Sequence, residues 1–185
     1  MITAASRPGP IQAVRPRLRL SRRSRQAVLV LHIIASGAWI GIDVIVAVLV
    51  VTGWFSSDIE LRSVAYRALA HFLVLPMIGS GLVCLGTGVV LGLGTKWGLI
   101  RYWWVALKLV MNVVLCLLMI TVLSPGMPEV DRYGVGLITG APSNADIQTL
   151  FFPPAVSLTA LTVAVVLGVA KPWGRVRRGG ARQLT

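Results

Sequence analysis

A long, largely apolar segment at residues 27–51 limits what this chain can fold into more than any other feature. At a rise of about 1.5 Å per residue, a helix of this length crosses the hydrocarbon core of a bilayer, which is about 30 Å thick. The segment also carries four residues at intervals of four, three and four: His32, Ser36, Trp39 and Asp43. On a helix these intervals place all four on one face. A simple membrane anchor needs no such face, so the pattern predicts the inner helix of a bundle, with its ionisable groups turned away from lipid.

Composition and the remaining apolar segments predict how many such helices there are. Of the 185 residues, 56% are hydrophobic and only 13% are charged, whereas soluble domains are about 25% charged. Apolar segments long enough to cross a membrane predict four spans, at about 27–51, 66–94, 102–123 and 153–170. Between them the sequence predicts a short polar connection at 52–65, a basic turn at 95–101 and a longer loop at 124–151. The predicted fold is therefore all-α, a four-helix transmembrane bundle that occupies residues 26–172.

Basic residues are concentrated at the two ends of the chain. Residues 1–25 hold seven arginines, three prolines and no acid, which is typical of a disordered tail, and residues 173–185 form a second basic tail. With both tails and the 95–101 turn on one side, that side carries fourteen basic residues and the other carries three. The positive-inside rule then predicts a multi-pass protein of a bacterial plasma membrane with both termini in the cytoplasm. The tails would lie against anionic lipid headgroups. Because the net charge of +12 comes mostly from these tails and not from a patch on a soluble domain, nucleic-acid binding is excluded.

Small residues recur at every fourth position on the first two predicted spans. Gly37 and Gly41 form a GxxxG motif, and a ridge of small side chains follows on the second span: Ser80, Cys84, Gly88 and Gly92. Such surfaces let two helices approach closely within a membrane. They predict close packing inside the bundle, and they are candidate contacts with a second copy of the chain or with another membrane protein. Cys84 and Cys116 lie in apolar spans without metal-binding spacing, so we interpret them as small core residues.

The depth of each polar residue within its span predicts which ones meet. Counted from the cytoplasmic ends, His32 lies ~7.5 Å deep and Lys108 ~9 Å deep, so the two are level with each other. Asp43 lies ~16 Å beyond His32, close to the level of His71 near the start of the second span. The sequence therefore predicts two pairs, His32 with Lys108 and Asp43 with His71, the second of them a buried polar pair.

Each of these residues also has a plain structural interpretation. A histidine within a membrane often only joins two helices by a hydrogen bond, and an aspartate with a neutralising neighbour can be purely structural. Trp39 fits core packing, and Lys108 can extend its ammonium group toward the cytoplasmic interface. A functional role is favoured for His32 with Lys108, because two bases do not neutralise each other.

Parts of the sequence resemble known membrane families. Two segments, LHIIASGAWIG and HFLVLPMIGSGLVCLGTGVVLGLGTKWGLIRYWWVALKLVMNVVL, resemble a family of small bacterial four-span integral membrane proteins of unknown function. LHIIASGAW with a lysine in the third span is more distantly similar to the copper-resistance D-type proteins and to the bacterial membrane protoporphyrinogen oxidases. These oxidases bind haem b and depend on a first-helix histidine and a third-helix lysine, which correspond to His32 and Lys108. The resemblance implies a haem b or porphyrin site at these two residues, with Ser36 and Trp39 beside the ring.

Three functional hypotheses follow. The first is a haem- or porphyrin-binding redox protein in which His32 is the metal ligand and Lys108, Ser36 and Trp39 complete the site. The second is a permease-type protein for a proton or metal ion that uses Asp43, His71 and Met77. The third is a non-catalytic accessory membrane subunit whose polar pairs only fix how the helices align. The chain has no residue pattern typical of a soluble enzyme, which leaves enzymatic activity open. It also has no Met/His/Cys cluster of the kind that copper prefers.

Overall fold

The computed structural model describes residues 20–94, 102–143 and 145–170. In this part of the chain, four helices are long and apolar enough to cross a membrane: α1 (Arg22–Phe55), α2 (Ile59–Gly94), α3 (Trp103–Thr139) and α4 (Ile147–Ala170). The predicted all-helical architecture with four helices of membrane-spanning length is confirmed. The C-terminal tail and the 95–101 turn lie outside the described residues, as do residues 1–19 of the N-terminal tail, whereas residues 22–25 already belong to α1.

α1 and α2 meet in a tight corner. The polar connection predicted at 52–65 is shorter than expected and covers only residues 56–58, because both helices extend into the predicted segment. α2 begins directly after Asp58, whose carboxylate accepts a hydrogen bond from the N–H group of Glu60 at 2.9 Å. This cap satisfies a donor that the start of a helix leaves without a partner. Across the corner, Arg62 Nε donates to the Gly53 carbonyl at 2.9 Å. The polar residues of this segment therefore cap and join the two helices on either side of the corner.

α3 takes up most of the segment predicted as a loop at 124–151. It contains Pro125 and Pro128, which usually interrupt a helix because proline lacks the N–H donor. A π-helical turn at Met119–Leu123 comes directly before them. The loop prediction is wrong because this wider turn changes the hydrogen-bond pattern just ahead of the prolines and lets the helix continue. α3 ends where Gly140 adopts the left-handed conformation, with φ 74°, as is common after helices.

Two further irregular turns lie at the end of the bundle where α1 meets α2 and where α3 connects to α4. We call this end the corner end. In α2 a π-helical turn at Leu69–Leu73 contains His71 and lies just ahead of Pro76. α4 opens with a 3-10 turn at Ile147–Phe151 before its regular helix begins.

Each helix packs against the next one in the sequence, and α4 packs against α1, so the four form a closed ring. Two apolar clusters fill its interior. One surrounds Trp39, and the other surrounds Tyr66 at the corner end. Large apolar side chains on the outer faces are exposed, among them Ile34, Leu75 and Val169. These outer faces form the surface that lipid would cover.

Candidate functional site

A half-open cavity of about 490 Å³ lies between α3 and α4. Asp43 on α1 and Ser157 on α4 form part of its wall. Toward the corner end the wall includes Glu129, which is half-buried, and Asp146, which is exposed. The cavity therefore connects an acidic, accessible rim to a buried carboxyl group. Nothing in the sequence predicts it, because its shape depends on how four separate helices pack.

Asp43 is almost completely buried, with 1% of its surface exposed. Its Oδ2 accepts a hydrogen bond from the Ser157 hydroxyl at 2.5 Å. Within the described ranges, no lysine, arginine or histidine shares the cavity wall with it. Asp43 is therefore a buried acid whose partner there is a neutral hydroxyl group.

His71 does not pair with Asp43, so the predicted buried polar pair is wrong. The side chain of His71 is 56% exposed, and its Nε2 lies 3.0 Å from Oδ1 of Asp131. Arg67 Nε lies 3.5 Å from the same oxygen. Depth gives the level of a residue in the membrane, whereas the direction in which a side chain faces depends on the rotation of its helix. Asp131 also lies in the segment predicted as a loop, which hid its place beside His71.

His32 faces α2, where its Nδ1 lies 2.9 Å from Thr87 Oγ1 and 3.1 Å from the Cys84 carbonyl oxygen. A carbonyl oxygen only accepts, and the Thr87 hydroxyl donates its own proton to the Val83 carbonyl at 2.6 Å. Nδ1 must therefore carry a proton, and in a neutral ring Nε2 keeps its lone pair. Gly88 makes this approach possible, because a Cβ there would lie 3.3 Å from Cε1 of His32.

Further polar contacts connect His32 to α3. Ser36 Oγ donates to the His32 carbonyl at 2.8 Å and lies 3.2 Å from Cys84 Sγ. On α3, Asn112 Nδ2 donates to the same sulfur at 3.3 Å, and Cys116 donates to Asn112 Oδ1 at 3.5 Å. We call this set the polar network: His32, Ser36, Cys84, Thr87, Asn112 and Cys116. Residues 20–94, 102–143 and 145–170 contain no group of three His, Cys, Asp or Glu side chains placed to hold a metal ion.

Lys108 lies near His32 but against a different helix. Its Nζ is 5.0 Å from the centroid of the Trp104 ring. A Cβ at Gly168 would lie 3.4 Å from that Nζ, so the ammonium group reaches α4. The charge of Lys108 also acts on the His32 ring. The structure thus places both residues in one region, with His32 directed toward α2 and Lys108 toward α4.

Trp39 lies between Ser36 and Asp43 along α1 and separates the polar network from the cavity. It is 0% exposed and belongs to the central apolar cluster. Its Nε1 has no hydrogen-bond partner in the part of the chain that the structure describes. These surroundings fit a role in core packing.

The inner face of α1 therefore carries two polar regions, the cavity at Asp43 and the polar network at His32. No protein-family model, no curated protein and no solved structure matches this chain. What the protein does has to be inferred from the geometry of these two regions.

Proposed function

We propose that this protein is a permease-type membrane protein that exchanges a proton for a cation at Asp43. The observation that supports the proposal is a carboxyl group, 1% exposed, in the wall of a cavity of about 490 Å³. Its hydrogen-bond partner among the described residues is the hydroxyl group of Ser157. A buried carboxylate without a positive partner costs several kcal/mol. The group must therefore hold a proton or face a bound cation, and alternation between these two states is what a proton-coupled carrier requires.

The proposal includes an orientation in a bacterial plasma membrane. The excess of basic residues in both tails and in the 95–101 turn favours a cytoplasmic position for both termini. The corner end, with the acidic rim of the cavity, then faces the outside of the cell. A cation that arrives from outside would meet Glu129 and Asp146 before Asp43. Because Glu129 is paired with Arg132, the negative charge of Asp146 would raise the local concentration of the cation.

We expect Asp43 to react with dicyclohexylcarbodiimide, an apolar reagent that modifies protonated carboxyl groups within membranes. Mass spectrometry of the purified protein should find the adduct on the peptide that contains Asp43, and Asp43→Asn should abolish it. Glu60→Gln is the matched control, because Glu60 is exposed in the first turn of α2 and outside the cavity wall. A folded protein whose Asp43 stays unmodified would contradict the proposal.

A second candidate function, binding of haem b or a porphyrin, is favoured by the hydrogen bonds of His32. Because Nδ1 donates to Thr87, Nε2 is available as a ligand, and metal-bound histidines are usually oriented in this way. His32 thus fits the ligand role that the resemblance implies, and Lys108 and Ser36 would complete the site. Bound haem would supply one-electron redox chemistry.

This second candidate predicts a b-type absorbance in protein purified from cells supplied with a haem precursor. His32→Ala should remove the absorbance and Lys108→Ala should shift it. His71→Ala is the control, because it changes a histidine whose side chain is 56% exposed and bonded to Asp131. A colourless protein that takes up no haem would rule this function out. If Asp43 also stays unmodified by the carbodiimide, the accessory-subunit hypothesis remains, in which the polar residues only align the helices.

A further inference from the structure

The walls of the Asp43 cavity limit which cation it can hold. Its volume of about 490 Å³ lies within the range of small-molecule pockets, roughly 300–1,000 Å³. Most of the wall is apolar, and it includes three methionines: Met77, Met119 and Met127. Methionine side chains are flexible and adapt to ligands of different shapes. A cavity with this size and lining suits an organic molecule.

The donor groups of this cavity do not suit a metal ion. Calcium takes about six to eight oxygen ligands, and magnesium requires an octahedral set. Asp43 has the Ser157 hydroxyl beside it, and the described residues contain no group of three His, Cys, Asp or Glu side chains that could hold a metal. A small inorganic cation would have to lose its water against apolar walls. The ligand must therefore contribute apolar surface of its own.

Part of the cavity wall lies at the outer surface of the bundle. Val122 on α3 and Phe152 and Val156 on α4 line the cavity, yet they are 66%, 68% and 50% exposed. All three belong to helices of membrane-spanning length. The cavity can therefore be reached from the bilayer, between α3 and α4, as well as from its acidic rim.

From these features we infer that the ligand of the cavity is an organic monocation with an apolar body, whose charge pairs with Asp43. The inference rests on the proposed function and narrows its substrate. Charge complementarity supports it, because the charged residues of the described wall are all acidic: Asp43, Asp146 and Glu129, the last of which pairs with Arg132 outside the wall. The apolar body contacts the methionines and the wall between α3 and α4.

Tetraphenylphosphonium is a suitable probe, because tetraphenylborate has the same shape and the opposite charge. Binding is measured by equilibrium dialysis of the purified protein in lipid nanodiscs, with protein-free nanodiscs as the reference. We expect saturable binding of the phosphonium ion and no saturable binding of the borate. Asp43→Asn should weaken phosphonium binding at least about tenfold, because it removes the charge that pairs with the ligand.

Gly126 allows a test of the cavity that leaves Asp43 unchanged. It lines the cavity, and a Cβ there would meet no atom within 4 Å, so Gly126→Leu should fold and fill part of the space. Gly79→Leu is the matched control, because Gly79 is equally open and is not part of the cavity wall. We expect Gly126→Leu to weaken phosphonium binding at least about tenfold and Gly79→Leu to leave it unchanged.

Equal binding of the two probe ions, or phosphonium binding that survives both Asp43→Asn and Gly126→Leu, would overturn the inference. Asp43-dependent binding of Mn²⁺ that phosphonium does not displace would also overturn the inference of an organic ligand. It would leave the proposed proton–cation exchange at Asp43 in place. If no probe binds saturably, the inference fails. Carbodiimide labelling then decides whether the proposed function fails with it. Modification of Asp43 would support the exchange site, whereas an unmodified Asp43 would contradict it.

Discussion

Replacing Trp39 with alanine should lower the free energy of unfolding by about 3 kcal/mol or more. Trp39 is 0% exposed and contacts a cluster with members from all four helices, among them Met77, Leu115 and Leu161. Without the indole ring, a space remains in this cluster and its neighbours lose their contacts across it. This loss of stability comes from lost packing contacts. Helices that separate in a membrane remain in an apolar environment, so no hydrophobic effect between them is lost. Reversible unfolding in mixed detergent micelles measures the loss of stability.

Trp39→Phe is the control for this prediction. It keeps an aromatic ring and removes an N–H that has no hydrogen-bond partner among the described residues. A buried donor without a partner opposes folding, so its removal offsets part of the lost packing, and we expect a loss of at most about 1 kcal/mol. If Trp39→Phe were as destabilising as Trp39→Ala, the N–H would have an essential role and the packing interpretation would be wrong.

Replacing Gly53 with valine should destabilise the protein by about 3 kcal/mol. A Cβ at Gly53 would lie 2.7 Å from Cζ of Tyr66. That ring has no room to move, because Tyr66 is 1% exposed and packs edge-to-face on Tyr133, with ring centroids 5.2 Å apart. Valine would therefore push α1 and α2 apart at their corner and weaken the bond from Arg62 to the Gly53 carbonyl. The same unfolding measurement applies.

Gly41→Val is the matched control on the same helix. A Cβ at Gly41 would meet no atom within 4 Å, so the expected change is within about 0.5 kcal/mol. Equal losses at the two positions would show that the glycine backbone matters more than the contact with Tyr66. A large loss at Gly41 that depends on protein concentration would instead place a second copy of the chain against the Gly37–Gly41 face.

Several features of the fold follow from local sequence because a membrane imposes simple rules. A helix must satisfy its own backbone hydrogen bonds in lipid, so the length and polarity of each segment predict four helices of membrane-spanning length. The spacing of residues along α1 predicts which of them share the inner face. In the structure Trp39 and Asp43 on that face are buried, and His32 and Ser36 contact α2.

The extents of the helices are less predictable, because two segments whose composition favours a connection belong to helices or cap them. Pro125 and Pro128 lie within α3 behind a π-helical turn, although both indicate a break. Asp58 and Arg62 lie in the segment predicted as a polar connection, and they cap and join two helices. In both cases the outcome depends on hydrogen bonds with groups that periodicity does not reveal.

Sequence alone was sufficient for the all-helical architecture, for the four helices of membrane-spanning length among the described residues and for the inner face of α1, because each depends on residues that are close together in the chain. Tertiary structure was needed for the partners of the polar groups. Asp43 bonds to Ser157, 114 positions away, and His71 bonds to Asp131, 60 positions away. Spacing gives the depth of a residue and the face it shares, but its partner depends on how each helix rotates and on which ridges pack together. Helix rotation and ridge packing are determined by many small packing contacts acting together. The same contacts determine the shape of the cavity beside Asp43.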